Sequence, residues 1–301
     1  MKRTLTILLA LLLGLAPLVG CGEREKNPEP APLAVAPFAE LRDNYAWAIS
    51  NGDWETPGTH LAAVEYAGSP ESLTLAVGWN QLFPLRYEGE KEATGENGEY
   101  GASYAGIAGH YWSVESILPV GWGSCLLLPA SCEAGILALT PAVAGEDIVN
   151  GFYNHGHPPA DPADVTEMEG RKNGRRVLHS ELLATDENGG RVSLFQFEST
   201  DMGLLVLAYI NGDRVIAQEF SNPVDEHGVI WRADAEEDDI CVFEVTMLCE
   251  TDAGLVLAYL WYGPEGTGKL LVAEDGGAFV ELASDAWTYD HWENRYYRLT
   301  S

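Results

Sequence analysis

The second half of the chain alternates between short β-rich segments and turn sequences, and this pattern restricts the fold more than any other feature. The segments "RVSLFQFES", "LLVLAYI" and "RVIAQEF" are separated by "TDMG" and "NGD", and a similar series follows from "ICVFEVTMLCE" to "AFVEL". Runs rich in β-branched and aromatic residues between Gly, Asn and Asp are typical of strands joined by hairpins. The sequence therefore predicts an all-β fold of antiparallel meanders, with a tight turn at Asn211 and Gly212.

The arrangement of these meanders is left open by the sequence. The string "LVLAY" begins at Leu205 and again at Leu255, fifty residues apart. A repeat of that length is compatible with a propeller-like array, but hairpin chemistry alone also produces such strings, so a β-sandwich or a barrel is an equal alternative. Residues 37–50 are expected to form one short N-terminal helix, because their apolar residues recur at near-helical spacing.

The beginning of the chain has the layout of an export signal. Lys2 and Arg3 precede a short apolar run, which ends at Cys21 and is followed by charges and prolines. A transmembrane helix would need roughly 20 apolar residues. The four residues "LVGC" that end at Cys21 resemble the lipobox of bacterial lipoproteins at every position. The resemblance implies that Cys21 becomes the N-terminus of the mature chain and carries fatty acyl chains, palmitate among them.

The resemblance also implies where the protein is located and how the chain is divided. Gly22 stands where an Asp would retain a lipoprotein in the inner membrane, so the resemblance implies a lipid-anchored protein of the bacterial envelope, attached to the outer membrane. The proline-rich segment favours an extended tether. The predicted parts are the signal peptide 1–20, the lipidated cysteine and tether 21–36, and an all-β domain 37–301 with a potential division into 37–170 and 171–301.

The charge of the chain restricts its partners. With 46 acidic and 17 basic residues the formal net charge is −29. A chain this acidic repels nucleic acids and anionic lipid surfaces, so the expected contact with the membrane is the lipid anchor alone. The expected partners are another envelope protein or a glycan.

Four cysteines remain after Cys21, and an even number in an exported protein suggests two disulfides. Cys241 and Cys249 lie in one predicted strand, where eight residues span ~26 Å, so they are not expected to bond to each other. Pro129 permits a local bond between Cys125 and Cys132. Two bonds, however, require both of these cysteines to reach across to Cys241 and Cys249.

A loop with metal-binding residue types lies in the middle of the chain. His155 and His157 are two residues apart in "FYNHGHPPADPAD", with Asp161 and Asp164 close behind. Such a set can hold a transition metal, although a Gly- and Pro-rich surface connection has the same composition. Because no H-E-x-x-H, G-x-S-x-G, phosphate-loop or dinucleotide motif supports catalysis, no cofactor is expected. An envelope hydrolase, metal-dependent through this loop, is the second functional hypothesis.

The C-terminal segment "WTYDHWENRYYRL" concentrates aromatic residues beside carboxylates. Trp287, Tyr289 and Trp292 are candidates for stacking on a sugar or a peptide, and the alternative is a last strand whose rings close the core. The histidines outside the His155 loop are isolated in the sequence and are interpreted as surface or structural residues. The leading hypothesis is therefore a binding or interaction module rather than an enzyme, and a purely structural envelope component is the third.

The lipobox resemblance gives a direct prediction. Replacing Cys21 by Ala should abolish lipidation, because the acyl chains need the cysteine sulfur and its α-amino group. Mass spectrometry of the N-terminal peptide from the membrane fraction measures this, with Cys125→Ala as the control that keeps the anchor. An unmodified Cys21 peptide in the membrane fraction of the unchanged protein would contradict the prediction.

Overall fold

The computed structural model describes residues 35–50, 57–63, 66, 68–78, 80–92, 108–119, 124–142, 157–200, 202–223, 242–263, 266–290 and 295–298. Residues Ala34–Ser301 form one compact unit. The described residues form sixteen β-strands, two α-helices and two 3-10 helices, which confirms the all-β prediction. In this part of the chain no helix is long and apolar enough to cross a membrane.

The first six strands close into a small barrel. They are β1 (Ala46–Ser50), β2 (His60–Ala63), β3 (Leu75–Gly78), β4 (Gln81–Glu92), β5 (Ala108–Val114) and β6 (Ser124–Leu128). Their order is β1-β2-β5-β4-β3-β6, and every neighbouring pair is antiparallel. Side chains fill the interior around Trp112, which is fully buried and donates its Nε1 hydrogen to the Pro70 carbonyl at 3.2 Å. A ligand of this barrel therefore has to bind at an end of it.

The remaining strands form one large sheet. They are β7 (Leu139–Pro141), β8 (Val177–Asp186), β9 (Arg191–Phe197), β10 (Met202–Asn211), β11 (Arg214–Pro223), β12 (Val242–Thr251), β13 (Gly254–Gly263), β14 (Gly266–Asp275), β15 (Ala278–Asp290) and β16 (Arg295–Arg298). Two antiparallel meanders, β7 to β11 and β12 to β15, meet in a parallel contact where Ala217 lies opposite Ala278. Both copies of "LVLAY" lie in this sheet, in β10 and β13, and the turn after Asn211 has Gly212 at a φ of 58°.

The large sheet is curved, and one short segment of the chain forms hydrogen bonds to β12 at one edge and to β8 at the other side. The Leu137 amide donates to the Leu248 carbonyl at 2.9 Å, and Ile136 lies opposite Cys249 of β12. Three residues later, Leu139 pairs with Asp186 of β8. Since the same short segment bonds to both edges, the sheet encloses an apolar interior. Its larger buried side chains include Phe243, Tyr259, Leu194, Leu207, Leu248 and Leu257.

The outer face of the large sheet is covered in two places. The second α-helix of the chain, α2 (Pro162–Arg171), packs on this face. Its Met168 and Val165 contact the cluster of Phe195 and Phe197 of β9. The outer face of β12 to β14 packs against β6 of the small barrel. The buried residues of that contact include Leu126, Leu128, Met247, Val256, Ala258 and Leu271. The small barrel and the large sheet therefore share an apolar interface, and the barrel shields strands that would otherwise face water.

The described N-terminal residues are fastened to the turn between β12 and β13. The Ala36 amide donates to the Glu250 carbonyl at 2.9 Å, and the Asp252 amide donates back to the Ala36 carbonyl at 3.1 Å. A Cβ atom on Gly135 would lie 2.2 Å from the Glu250 carbonyl oxygen and 2.5 Å from the Ala36 nitrogen. We call this meeting point of Ala36, Gly135 and Glu250 the junction. Three distant parts of the sequence come into backbone contact there.

Several sequence-based expectations are corrected in detail. Residues 37–50 do not form one helix, because α1 (Phe38–Asp43) ends before Asn44 and β1 begins at Ala46, with Ala46, Ala48 and Ser50 buried in alternation. Ala36, the last residue of the predicted tether, is fully buried. The helix α2 was not expected. The change from small barrel to large sheet falls between Leu128 and Leu139, earlier than the potential division at 170.

The junction predicts a pair of glycine substitutions with different outcomes. Gly135→Ala should lower the free energy of unfolding by about 1–3 kcal/mol or more, because its methyl group meets two backbones that cannot both move. Gly170→Ala in α2 is the matched control. Its methyl group would enter open space, so it should be neutral or stabilise by up to about 1 kcal/mol. Denaturant unfolding measures both, and equal stability of the two variants would contradict the close contact.

Candidate functional site

The described residues of the predicted metal loop have structural roles. His157 Nδ1 lies 2.7 Å from the Ala142 carbonyl, and Asp161 caps α2 by accepting a hydrogen bond from the Ala163 amide at 2.8 Å. Asp164 is buried and forms a bidentate ion pair with Arg191. Arg191 Nε donates to Asp164 Oδ2 at 2.6 Å, and Arg191 Nη2 donates to Asp164 Oδ1 at 2.7 Å. His155 lies outside the described residues. Among the residues that are described, no group of three or more His, Cys, Asp or Glu side chains is placed to hold a metal ion.

The predicted aromatic surface lies in the last hairpin. Trp287 and Tyr289 belong to β15, where they pair with Arg298 and Tyr296 of β16. Trp292 lies outside the described residues. A contact of these rings with a ligand stays a prediction.

The described cysteines are buried and form no disulfide with one another. Cys125, Cys132 and Cys249 are free thiols, and Cys241 lies outside the described residues. The strand predicted around Cys249 is confirmed as β12, with a bulge between Val245 and Met247. The pairing expected from the sequence therefore stays a prediction.

A group of polar and aromatic side chains that the sequence did not indicate converges at one end of the small barrel. We call it the barrel mouth and define it by Asn44, Tyr66, Ser72, Tyr87 and His110, all partly buried. The Tyr87 hydroxyl and His110 Nδ1 are 2.8 Å apart. The Tyr66 ring meets the His110 ring edge-on, with centroids 6.2 Å apart. The Tyr66 hydroxyl donates to Asn44, whose Nδ2 donates to the Ser72 hydroxyl at 2.6 Å.

The local geometry of β4 and β5 explains how Tyr87 and His110 meet. His110 precedes Trp112 by two residues, so the alternation of a strand directs both toward the inside of the barrel. On β4, Tyr87 pairs with Trp112 and Gly89 pairs with Tyr111, which leaves Glu88 as the extra residue of a β-bulge. Gly89 has a φ of 109°, a conformation that other residues rarely adopt. Tyr87 lies before this bulge and continues the inward-facing series of Phe83 and Leu85, so it shares the inner face with His110.

The environment of the mouth keeps both phenols protonated. Burial raises the pKa of Tyr66, and hydrogen bonds to Ser72 and to the backbone of Ser69 oppose the rise. Burial also raises the pKa of Tyr87, and the negative charges of Glu71 and Glu90 add to the effect. Since an unperturbed tyrosine already titrates near pH ~10, both hydroxyls remain neutral at physiological pH. The mouth therefore offers two neutral phenol hydroxyls and aromatic faces within an acidic rim that includes Glu71 and Glu90.

A second histidine lies on the outside of the same barrel and has a different environment. His60 Nδ1 is 2.8 Å from the Thr59 hydroxyl, and His60 Nε2 is 3.7 Å from a Glu88 oxygen, longer than a hydrogen bond. Glu88 bonds to Lys91 at 2.9 Å, and this contact lowers the pKa of its carboxyl group. Glu88 and Lys91 therefore form a surface ion pair beside His60. A substitution of His60 can serve as a control for substitutions of His110.

His110 is isolated in the sequence and was therefore interpreted as a surface or structural residue. Its partners at positions 44, 66, 72 and 87 are far apart in the chain and meet only because the barrel closes. One local feature of the sequence did point to His110. In "AGHYWSV" it lies two residues before Trp112, so the two side chains lie on the same side of the strand. That signal identifies His110 as facing inward but not its neighbours.

Comparison with protein-family models, with curated proteins and with solved structures found no match for this chain.

Proposed function

We propose that this protein is a lipid-anchored binding module of the bacterial envelope and that the barrel mouth holds its ligand. The observation that carries the proposal is the convergence of two tyrosines, a histidine, an asparagine and a serine at the end of a barrel whose interior is filled. Barrel mouths are common places for ligand sites, which combine aromatic surface with a few placed polar groups.

The chemistry of the mouth favours a glycan as the ligand. The rings of Tyr66, Tyr87 and His110 provide flat surfaces for the apolar face of a sugar, while the phenol and amide groups suit its hydroxyls. Glu71 and Glu90 at the rim, together with the net charge of −29, disfavour anionic ligands. A neutral glycan is compatible with both features.

The hydrogen bonds within the mouth hold its side chains in place for a ligand. The Ser72 hydroxyl donates to the Ser69 carbonyl at 2.6 Å and accepts from Asn44, so its position is fixed by two partners. The Tyr66 hydroxyl is held by Asn44 in the same way. Side chains whose positions are fixed in advance lose little entropy when a ligand binds, which favours affinity.

The proposal is tested by titrating the full chain with oligomers of N-acetylglucosamine in a calorimeter. His110→Gln should weaken binding by about tenfold or more, because it removes a ring that contacts both tyrosines. The matched control is His60→Gln on the outer face, which should leave the affinity unchanged. Circular dichroism establishes that both variants are folded.

Three outcomes would contradict the proposal. They are no heat of binding for the unchanged protein at millimolar glycan, an equal affinity of the His110→Gln and His60→Gln variants, or a loss of binding confined to Trp287→Ala. The last result would transfer the site to the C-terminal hairpin.

A further inference from the structure

Two buried cysteines lie in one apolar cluster beside the junction. Cys132 is in the 3-10 helix Ala130–Gly135, and Cys249 is in β12. Both are fully buried, and both belong to the cluster that also contains Ala36 and Leu41. Although 117 positions separate them in the sequence, they occupy the same part of the core.

Backbone contacts bring the two elements together on either side of these cysteines. Ile136, the residue that follows the 3-10 helix, lies directly opposite Cys249, and the Leu137 amide bonds to the Leu248 carbonyl. Gly135 approaches Glu250 so closely that no side chain fits between them. Cys132 is one 3-10 turn before Gly135, a rise of about 6 Å along the helix axis. Cys132 and Cys249 are close enough for their charges to interact, because Cys132 contributes to the raised pKa of Cys249. A disulfide requires the two Cα atoms to lie within about 7 Å of each other.

The third described cysteine is directed elsewhere. Cys125 alternates with Leu126 along β6, and it lies inside the small barrel with Leu127. Leu126 and Leu128 point to the other face, where they pack in the cluster of Cys132 and Cys249. Because successive side chains of a strand face opposite sides, Cys125 is separated from Cys249 by the wall of the small barrel.

We propose that Cys132 and Cys249 form a disulfide bond when the chain folds under oxidising conditions. The oxidant is a small-molecule or protein disulfide, such as glutathione disulfide. The thiolate of one cysteine attacks it and forms a mixed disulfide, and one glutathione leaves as a thiolate that takes up a proton. The second cysteine then displaces the other glutathione. Two thiol S–H bonds are broken, one S–S bond forms in the protein, and the glutathione disulfide is reduced to two thiols.

The burial of both thiols determines when this reaction takes place. Burial raises the pKa of Cys132 to about 11, and burial together with the neighbouring Cys132 raises the pKa of Cys249 to about 12. Since the thiolate is the reactive form, exchange is slow in the folded protein. The bond is therefore expected to form during folding, while both thiols are still accessible.

The bond would reinforce the closure of the large sheet. The segment after Cys132 joins β12 through the Leu137 hydrogen bond and the contact of Ile136 with Cys249. A covalent link between Cys132 and β12 would fasten this segment from its other end. The proposal concerns the folded chain alone and depends neither on the lipid anchor nor on the ligand of the barrel mouth.

Peptide mapping after refolding tests the proposal. The full chain is unfolded with reductant, refolded in a buffer of reduced and oxidised glutathione, alkylated to block remaining thiols, and digested without reduction. The expected result is a peptide pair that joins Cys132 to Cys249, with Cys125 alkylated. Reduction should lower the Tm of the refolded protein by roughly 5–10 °C.

Alanine variants provide the controls. Cys125→Ala should retain both the linked peptides and the loss of Tm on reduction. Cys132→Ala and Cys249→Ala should each lack the linked pair and show no such loss. The proposal is overturned if Cys132 and Cys249 are both alkylated in refolded protein with a native spectrum. It is equally overturned if either of them is joined to a different cysteine.

Discussion

The backbone contact at the junction is the constraint on which the rest of the structure depends. A large curled sheet has two edges, and exposed edges invite pairing with other chains. Here one segment, residues 136–141, bonds to β12 on one side and to β8 on the other. Only glycine fits at position 135, where this segment passes Ala36 and Glu250. The same segment leads directly from β6, so closing the large sheet also fixes the small barrel against it.

The elements that the sequence predicted well are those governed by local chemistry. The meanders follow from turn residues between β-rich runs, and the hairpin after Asn211 formed where its glycine allows a positive φ. The α2 helix was missed because Asp161 and Pro162 were interpreted as part of a metal loop, although an Asp before a Pro is a typical helix start. Residues 46–50 were assigned to a helix because the spacing of apolar residues in so short a segment fits both a helix and a strand. They form a strand because they pair with β6 when the barrel closes.

The candidate site could not be predicted because it exists only after closure. Asn44 follows α1, Ser72 ends a 3-10 helix, and Tyr87 and His110 lie on neighbouring strands. No spacing in the sequence connects these positions, and the residues of β4 and β5 that lie opposite each other are decided by the register between the two strands. The acidic rim was visible only as overall charge. Composition predicted only that nucleic acids are disfavoured as partners, whereas the fold was needed to bring the aromatic and polar groups together.

The central functional claim is that ligand contact occurs at the barrel mouth. It is tested most directly by following the histidine ring signals of the full chain by NMR during titration with oligomers of N-acetylglucosamine. The geometry predicts that the signals of His110 shift in proportion to saturation, while those of His60 on the outer face and of His179 on β8 do not. Unchanged His110 signals at a glycan concentration that saturates the protein would contradict the claim.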